Sequence, residues 1–292
     1  MVNPTSGATS ARRRWPRIKS LLEDAGLAFD SVITEGPMHA MELAGEAADR
    51  GYGLVVVVGG DGTINEAVNG LIGPDGKGKA DLGVICTGTA NDFARNIGLP
   101  RSLLKNCRLV ASARRSEVDV GAVRYVKDGQ SRQRFFVNVS GAGFDADLME
   151  EARNTFLPLG PKGPYVGAFL KMVPTYEPRE FHLSFQDKQE ARRAYTVLVS
   201  NGRYAGSILF DPDADLRDGL FEVITLDPST LLKGLADTYR ALLDGHPKIE
   251  YRRTSVLKID SPEPLAVQAD GEVLGSLPAE FRVLPKALRV VA

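Results

Sequence analysis

Five consecutive aliphatic residues, Leu54 to Val58, run straight into Gly59-Gly60-Asp61-Gly62-Thr63, and the segment after them repeats apolar residues (Ile64, Ala67, Val68, Leu71) at helical spacing. A strand that is apolar on both faces has to be covered on both, which is the situation of a parallel sheet clothed by helices. Parallel neighbours need crossover connections, so such a chain should alternate strand and helix. This one does. Trp15, Ile18, Leu22 and Ala25 predict a helix that stops at Gly26, and Phe29 to Thr34 a strand. Met38 to Arg50 predicts a helix with Met41, Ala44, Ala47 and Ala48 on one face, Leu82 to Cys86 a buried strand, and Leu103 to Ala113 a helix.

Near Glu117 the rhythm changes. Strand-like runs then dominate: Val118–Val126, Phe135–Val139, Phe181–Phe185, Tyr195–Ser200, Leu220–Leu226, Val256–Ile259, Leu265–Gln268 and Glu280–Leu284. Helices are expected only at Ala146–Asn154, Tyr165–Val173 and Ser229–Leu243. The predicted architecture is an α/β domain with a mainly parallel sheet over residues 1–117, followed by a mostly β, sandwich-like domain over residues 118–284. A length of 292 residues suits two domains. The turn-forming start Asn3-Pro4-Thr5-Ser6-Gly7 predicts a missing or very short first strand, and it is unlike a signal peptide.

Composition excludes several classes. With 43% hydrophobic and 25% charged residues the chain is not of the disordered type. Lys and Arg number 36 against 37 Asp and Glu, so overall charge predicts neither nucleic-acid binding nor strong attraction to an anionic surface. Two cysteines, Cys86 and Cys107, form no metal pair or disulfide framework, which fits a reducing cytoplasm. No apolar run approaches the roughly 20 residues of a membrane span.

The glycine loop at residues 59–63 carries the chemistry. Glycines let backbone approach a ligand closely, amides at the following helix N-terminus suit phosphate, and Thr63 can cap the helix and offer a hydroxyl. The bland alternative is a strand-to-helix turn needing a cap. Neither GxxxxGK[ST] nor GxGxxG is present, and Gly73 to Lys79, with no strand leading into it, predicts a surface loop. A second turn, Gly88-Thr89-Ala90-Asn91-Asp92, also follows a strand. With Asn3 to Gly7 and Thr34-Glu35-Gly36 it should lie on the same rim of the sheet, where ligands of open α/β folds bind.

Taken in order, Asn3-Pro4-Thr5-Ser6-Gly7, Gly59 to Glu66, Gly88 to Arg95, Asp213 to Leu220 and Asp270-Gly271-Glu272 resemble the diacylglycerol kinase catalytic family, in its bacterial soluble lipid kinase branch. The Gly-Gly-Asp-Gly-Thr core is shared with NAD kinases. The resemblance spans essentially the whole chain. It implies ATP at the domain junction, contacted by Asn3, Thr34, Gly60, Asp61, Gly62, Thr63, Asn65, Glu66 and Thr89, with Asp61 and Asp92 in a charged network around phosphates and magnesium. It also implies a structural magnesium on Asp218, with backbone groups of Asp215 and Leu220, and a return of residues 285–292 to the first domain. Two departures stand out. Ala8 replaces a frequent basic residue, leaving phosphate charge to Arg12, Arg13 or Lys171, and Cys86-Thr87 replaces Pro-Leu. No neighbouring base makes Cys86 a nucleophile.

The general base is expected in the Asp270-Gly271-Glu272 triplet, Asp270 ahead of Glu272, with residue alternation putting both on the same side of a strand where they could share the role, although from the residues alone Asp-Gly reads as a tight hairpin turn. His39, His182 and His246 fall in no motif and are expected to be structural. Tyr165 to Pro174 is either an apolar lid toward a lipid substrate or an ordinary core helix. Arg12, Arg13, Arg14, Arg17 and Lys19 form a basic face, either solvated or touching anionic lipid. The resulting expectation is an ATP- and magnesium-dependent lipid kinase in the cytoplasm. It would make peripheral contact with the inner face of the membrane, bind no nucleic acid, and be monomer or homodimer. NAD kinase and a non-catalytic nucleotide-binding regulator are the alternatives.

Overall fold

The computed structural model describes residues 1–112, 114–155, 163–205, 208–209, 211, 213–228 and 251–292; the helix expected over Ser229–Leu243, and His246, lie outside them. Along the first third come α1 (Ser6–Asp24), α2 (His39–Asp49), β1 (Leu54–Gly59), α3 (Asp61–Leu71), β2 (Asp81–Cys86), α4 (Asp92–Asn96) and α5 (Leu103–Ala111). There follow β3 (Ser116–Lys127), β4 (Gln130–Phe136), β5 (Val139–Gly143), α6 (Phe144–Asn154), α7 (Gly163–Met172), β6 (Arg179–Ser184), β7 (Gln189–Ala194) and β8 (Thr196–Ser200). The remainder is β9 (Tyr204–Ala205), β10 (Ile208–Leu209), β11 (Phe221–Leu226), β12 (Tyr251–Thr254), β13 (Val256–Asp260), β14 (Ala266–Ala269) and β15 (Glu272–Val290).

β1 and β2 pair in parallel, Leu54 against Asp81 through to Gly59 against Cys86. The doubly apolar character of β1 has the expected cause: Val57 and Val58 are buried, as are Ile64, Val68 and Leu71 on the helix that follows. On the other side of β1, Val2 bridges Val58 and Ile33. The strand expected over Phe29–Thr34 is reduced to that bridge. Its ladder consists of two bonds, Val2 N–H to Val32 and Thr34 N–H to Val2, too few to define a strand.

The second half is antiparallel. Its strands run β12-β11-β8-β5-β14-β15-β13-β6-β7, with β3 attached to β15 and β4 to β3. This is the expected β-rich, sandwich-like part. One 19-residue strand joins the halves: β15 pairs with β14 and β13 near its start, runs antiparallel to β3, and ends parallel to β2 at Val290–Leu82. It also feeds two cores. Phe281 and Val283 pack in the β-rich core, which holds Phe181, Ile259 and the stacked Phe136–Phe221 pair. Leu288 and Val290 pack in the α/β core with Val57, Ile64 and Leu82. The expected Glu280–Leu284 run is thus a fragment of a longer strand, hidden in the sequence by Pro278 and Pro285.

Candidate active site

The glycine loop is tighter than a turn needs. α3 begins at Asp61, inside the motif, with Gly60 as an extended N-cap. A Cβ on Gly59 would lie 2.8 Å from the Thr63 Cβ, and a Cβ on Gly88 would lie 2.7 Å from the Gly60 Cα. The two strand-end turns therefore touch backbone to backbone, which only glycine allows. Residues 3–7 lock onto them. Asn3 donates through Nδ2 to Thr63 Oγ1 at 2.8 Å, while its own Oδ1 accepts from the Thr5 N–H and hydroxyl. Thr87 donates its N–H to Gly59 and its hydroxyl to Ser6. The rim predicted from four separate turns is one hydrogen-bonded surface at the N-terminus of α3.

The individual residues take different places in it. Thr63 and Asn65 are buried, whereas Gly62 and Thr89 are exposed on the rim. Thr34 is buried and bonded to Val2. Asp61 points its Oδ1 at the Phe93 N–H, 3.0 Å away, capping α4. Burial pushes its carboxyl up, and the neighbouring Asp92 adds to that shift. Asp92 is buried and 3.6 Å from Arg95. Glu66 accepts from the Ala40 N–H at the start of α2. Burial drives the Cys86 thiol up to about 12, so it is no nucleophile.

Asn65 carries the connection to the second half. With Asn69 it occupies one face of α3, four residues apart. Asn69 accepts from the Phe135 N–H and donates to Asn65 Oδ1, which leaves Asn65 Nδ2 as donor to Asp270 Oδ2 at 2.8 Å. Asp270 accepts three more bonds: Val137 N–H on the same oxygen at 2.8 Å, and Asn138 and Val139 N–H on Oδ1 at 2.9 and 3.0 Å. All four lone-pair positions of the carboxylate are filled. Burial nevertheless pushes its pKa above the ordinary value, against those donors.

Asp270 and Gly271 have φ of +46° and +89°, and Ala269 pairs with Glu272. They form a two-residue hairpin turn, as the residues alone suggested. Strand alternation therefore does not place the two carboxylates together. Glu272 turns instead to the buried Arg134, at 2.8 Å, whose guanidinium also touches the Met38 and Met41 sulfurs. Arg134 is a residue that sequence reasoning missed, since it sits in a run of exposed polar residues.

The loop of Asp215, Asp218 and Leu220 is held differently. Asp218 Oδ1 accepts from the Leu220 N–H, Arg217 pairs with Asp215, and the buried Asp119 accepts from Gly219 and Lys286. Among the described residues no three acidic, His or Cys side chains converge as a metal site. Lys171 is bonded to Glu151 on α6 at 2.6 Å, so its charge is already paired. α7 is not a core helix: Tyr165, Val166, Phe169 and Leu170 on it, and Val173 just beyond, are 42–66% exposed. Among the described residues no helix is long and apolar enough to cross a membrane. His39 accepts the Glu35 N–H within the Thr34–Gly36 turn, and His182 meets Glu180.

Residues 1–123 match the diacylglycerol kinase catalytic domain, and residues 138–292 match the YegS C-terminal NAD kinase beta sandwich-like domain. A diacylglycerol kinase of Bacillus subtilis is 31% identical, over all of this chain and 94% of that protein. One from Staphylococcus saprophyticus is 28% identical, over 99% of this chain and 93% of its own length. In structure, a diacylglycerol kinase from Bacillus anthracis superposes with a TM-score of 0.79 at 24% identity, over 99% of this chain and 94% of that one, so the two share the fold. With a catalytic-domain match in its first half, a sandwich-domain match in its second and a relative aligned end to end, this chain belongs to the diacylglycerol kinase family of lipid kinases.

Proposed function

We propose that the protein transfers the terminal phosphate of ATP, with magnesium, to a hydroxyl of diacylglycerol or a closely related lipid. The Asn65–Asp270 hydrogen bond carries this reading, because it joins the phosphate-type helix terminus to the turn that offers a base. Phosphoryl transfer asks a protein mainly for alignment and charge stabilisation. The N-terminal amides of α3 and the glycine contact would seat the triphosphate, with the Thr89 hydroxyl at its edge.

Magnesium, arriving with ATP, supplies neutralisation of phosphate charge. The neighbouring Asp61 and Asp92 suit a nearby cation, since burial and then the charge of Asp92 push the Asp61 carboxyl up. A structural ion would be held by Asp218 with the Asp215 and Leu220 carbonyls, an all-oxygen set of the kind hard cations take.

Asp270 is the proposed base. Three of its four donors are fixed backbone N–H groups, and only the Asn65 amide can turn away. The acceptor hydroxyl would take that place on Oδ2. As its oxygen bonds to the γ-phosphorus and the bond to the β-phosphate oxygen breaks, its proton passes to Asp270. The exposed apolar face formed by α7 and Val173 is the proposed contact with the lipid surface, where the acceptor resides. The exposed arginines of α1 are a second, electrostatic contact.

The test is labelled ATP with magnesium against diacylglycerol, phosphatidylglycerol, sphingoid bases and NAD. Label in diacylglycerol or a related lipid is expected. Label confined to NAD would make the protein an NAD kinase, and ATP binding without transfer to any acceptor would make it a regulator.

A further inference from the structure

Behind the Asp270 turn lies a second layer of side-chain bonds that the proposed reaction does not use. Gln268, the third residue of β14, is 1% exposed. Its Oε1 accepts the Gly271 N–H at 3.2 Å and its Nε2 donates to Asp145 Oδ2 at 2.8 Å. Asp145 sits in the first turn of α6, and its other oxygen accepts the Thr196 hydroxyl. The space is reserved for it: a Cβ on Gly141 would fall 2.8 Å from Asp145 Oδ2.

The chain of bonds has a direction. An ionised carboxylate only accepts, so Asp145 requires the NH2 end of the Gln268 amide. That turns the Gln268 carbonyl to the Gly271 N–H, its only satisfactory partner there. Reversing the amide would set donor against donor at Gly271 and acceptor against acceptor at Asp145. The peptide so held joins the two left-handed residues of the turn and sets where the Asp270 Cα stands.

We propose that Gln268 is a positioning residue for Asp270, and that Asp145 fixes the orientation in which Gln268 works. This rests on the reading of Asp270 as base. The carboxylate is aimed from two sides: its oxygens by Asn65 and the backbone of residues 137–139, its backbone by Gln268. The same arrangement ties the turn to α6, whose Phe144 packs against Phe169 of α7 and against Tyr176 at ring-centroid distances of 5.9 and 4.9 Å.

The pattern can be broken and rebuilt. Asp145→Leu removes the acceptor that holds the Gln268 NH2 group, whereas Asp145→Asn can keep it by turning its oxygen to Gln268 and its NH2 to the Thr196 hydroxyl, which then donates to the Ala142 carbonyl. Gln268→Glu opposes two carboxylates. In the Asp145→Asn, Gln268→Glu double variant the amide at position 145 donates to the carboxylate at position 268, which still accepts from Gly271, so both bonds return and only the one between positions 145 and 268 exchanges polarity. Asp145→Leu and Gln268→Glu should each lower kcat about 10- to 100-fold at saturating ATP and lipid, the scale of a misplacement near 1 Å. KM for ATP should stay within about threefold, because the phosphate rim is untouched, and the double variant should recover most of the lost kcat. Measurements are made where circular dichroism shows every variant folded. Should a charged variant not fold, Gln268→Met, which keeps the shape and loses both bonds, must show the same loss of kcat. Wild-type kcat in Asp145→Leu or Gln268→Glu, or an Asp145→Asn, Gln268→Glu double variant no better than Gln268→Glu alone, would overturn the proposal. Wild-type protein inactive on every lipid would instead overturn the reading on which it rests.

Discussion

Asp270 and Glu272 are two residues apart, yet they should respond to the same amide substitution in opposite ways. An amide at position 270 presents an NH2 group to two of four donors, and each buried donor left unmatched costs roughly 1–3 kcal/mol. Asp270→Asn is therefore expected to lose turnover by a factor on the order of 10²–10⁴, the range of general-base catalysis, and to lower the unfolding midpoint as well. Glu272→Gln keeps an acceptor for Arg134 on a side chain that is 45% exposed, and should change stability by less than about 1 kcal/mol. Urea unfolding together with kcat at saturating substrates separates the two. If Glu272→Gln shows the larger kcat loss, the base is Glu272. Asp145 adds a pH dependence. Burial raises its carboxyl from 3.8 to about 6. The folded protein then keeps this proton while the unfolded chain has released it, so the group's contribution is complete below pH 3.8 and declines as pH rises toward 6. The decline amounts to about 3 kcal/mol. The stability of Asp145→Asn relative to wild type should thus improve by about that amount between about pH 4 and pH 6.5. A pH-independent difference in urea titrations would contradict it.

Among the elements, the contact of the two glycine turns is the sharpest constraint. A methyl group on residue 88 would meet the Gly60 Cα at 2.7 Å and Asn91 Oδ1 at 3.0 Å, and the first of these is backbone that cannot rotate away. Gly88→Ala should cost about 1–3 kcal/mol of stability, as overpacking does. By parting the turns it should also weaken ATP binding about tenfold or more, a loss of at least about 1.4 kcal/mol. Gly53→Ala, where a methyl group meets nothing within 4 Å, is the control and should bind ATP normally in calorimetry. This is also where the sequence was most readable. β1, α3 and β2 stand within a few residues of where periodicity puts them, because each buries a regular apolar pattern. The Phe29–Thr34 segment was misread because an extended, apolar composition specifies a strand only when a partner supplies the ladder. α7 left two readings open because apolar residues spaced along a helix do not say whether the core or the solvent faces them.

At the scale of the whole molecule, the site is assembled from residues as far apart in sequence as Asn65 and Asp270, and from Asp145 with Gln268. Motifs announced the first pair, since glycines and carboxylates at fixed spacing carry a recognisable chemistry. Nothing announced Arg134, Asp145 or Gln268. Their significance comes from burial and from which neighbour the sheet places opposite them, and single-residue types carry neither. The same holds for β15, whose prolines concealed its length. That strand begins beside the Asp270 turn and ends in the α/β sheet, giving residues to both hydrophobic cores. The halves thus have a beam in common where two-domain enzymes often have a flexible tether. Opening and closing of the cleft would have to flex the beam, and its ladder to β3 is already interrupted at two places, between Ser276 and Glu280 and between Leu284 and Leu288. A strand bends most easily where its ladder is irregular, so these two places are where the beam would give, between the Asp270 turn at one end and the α/β sheet at the other.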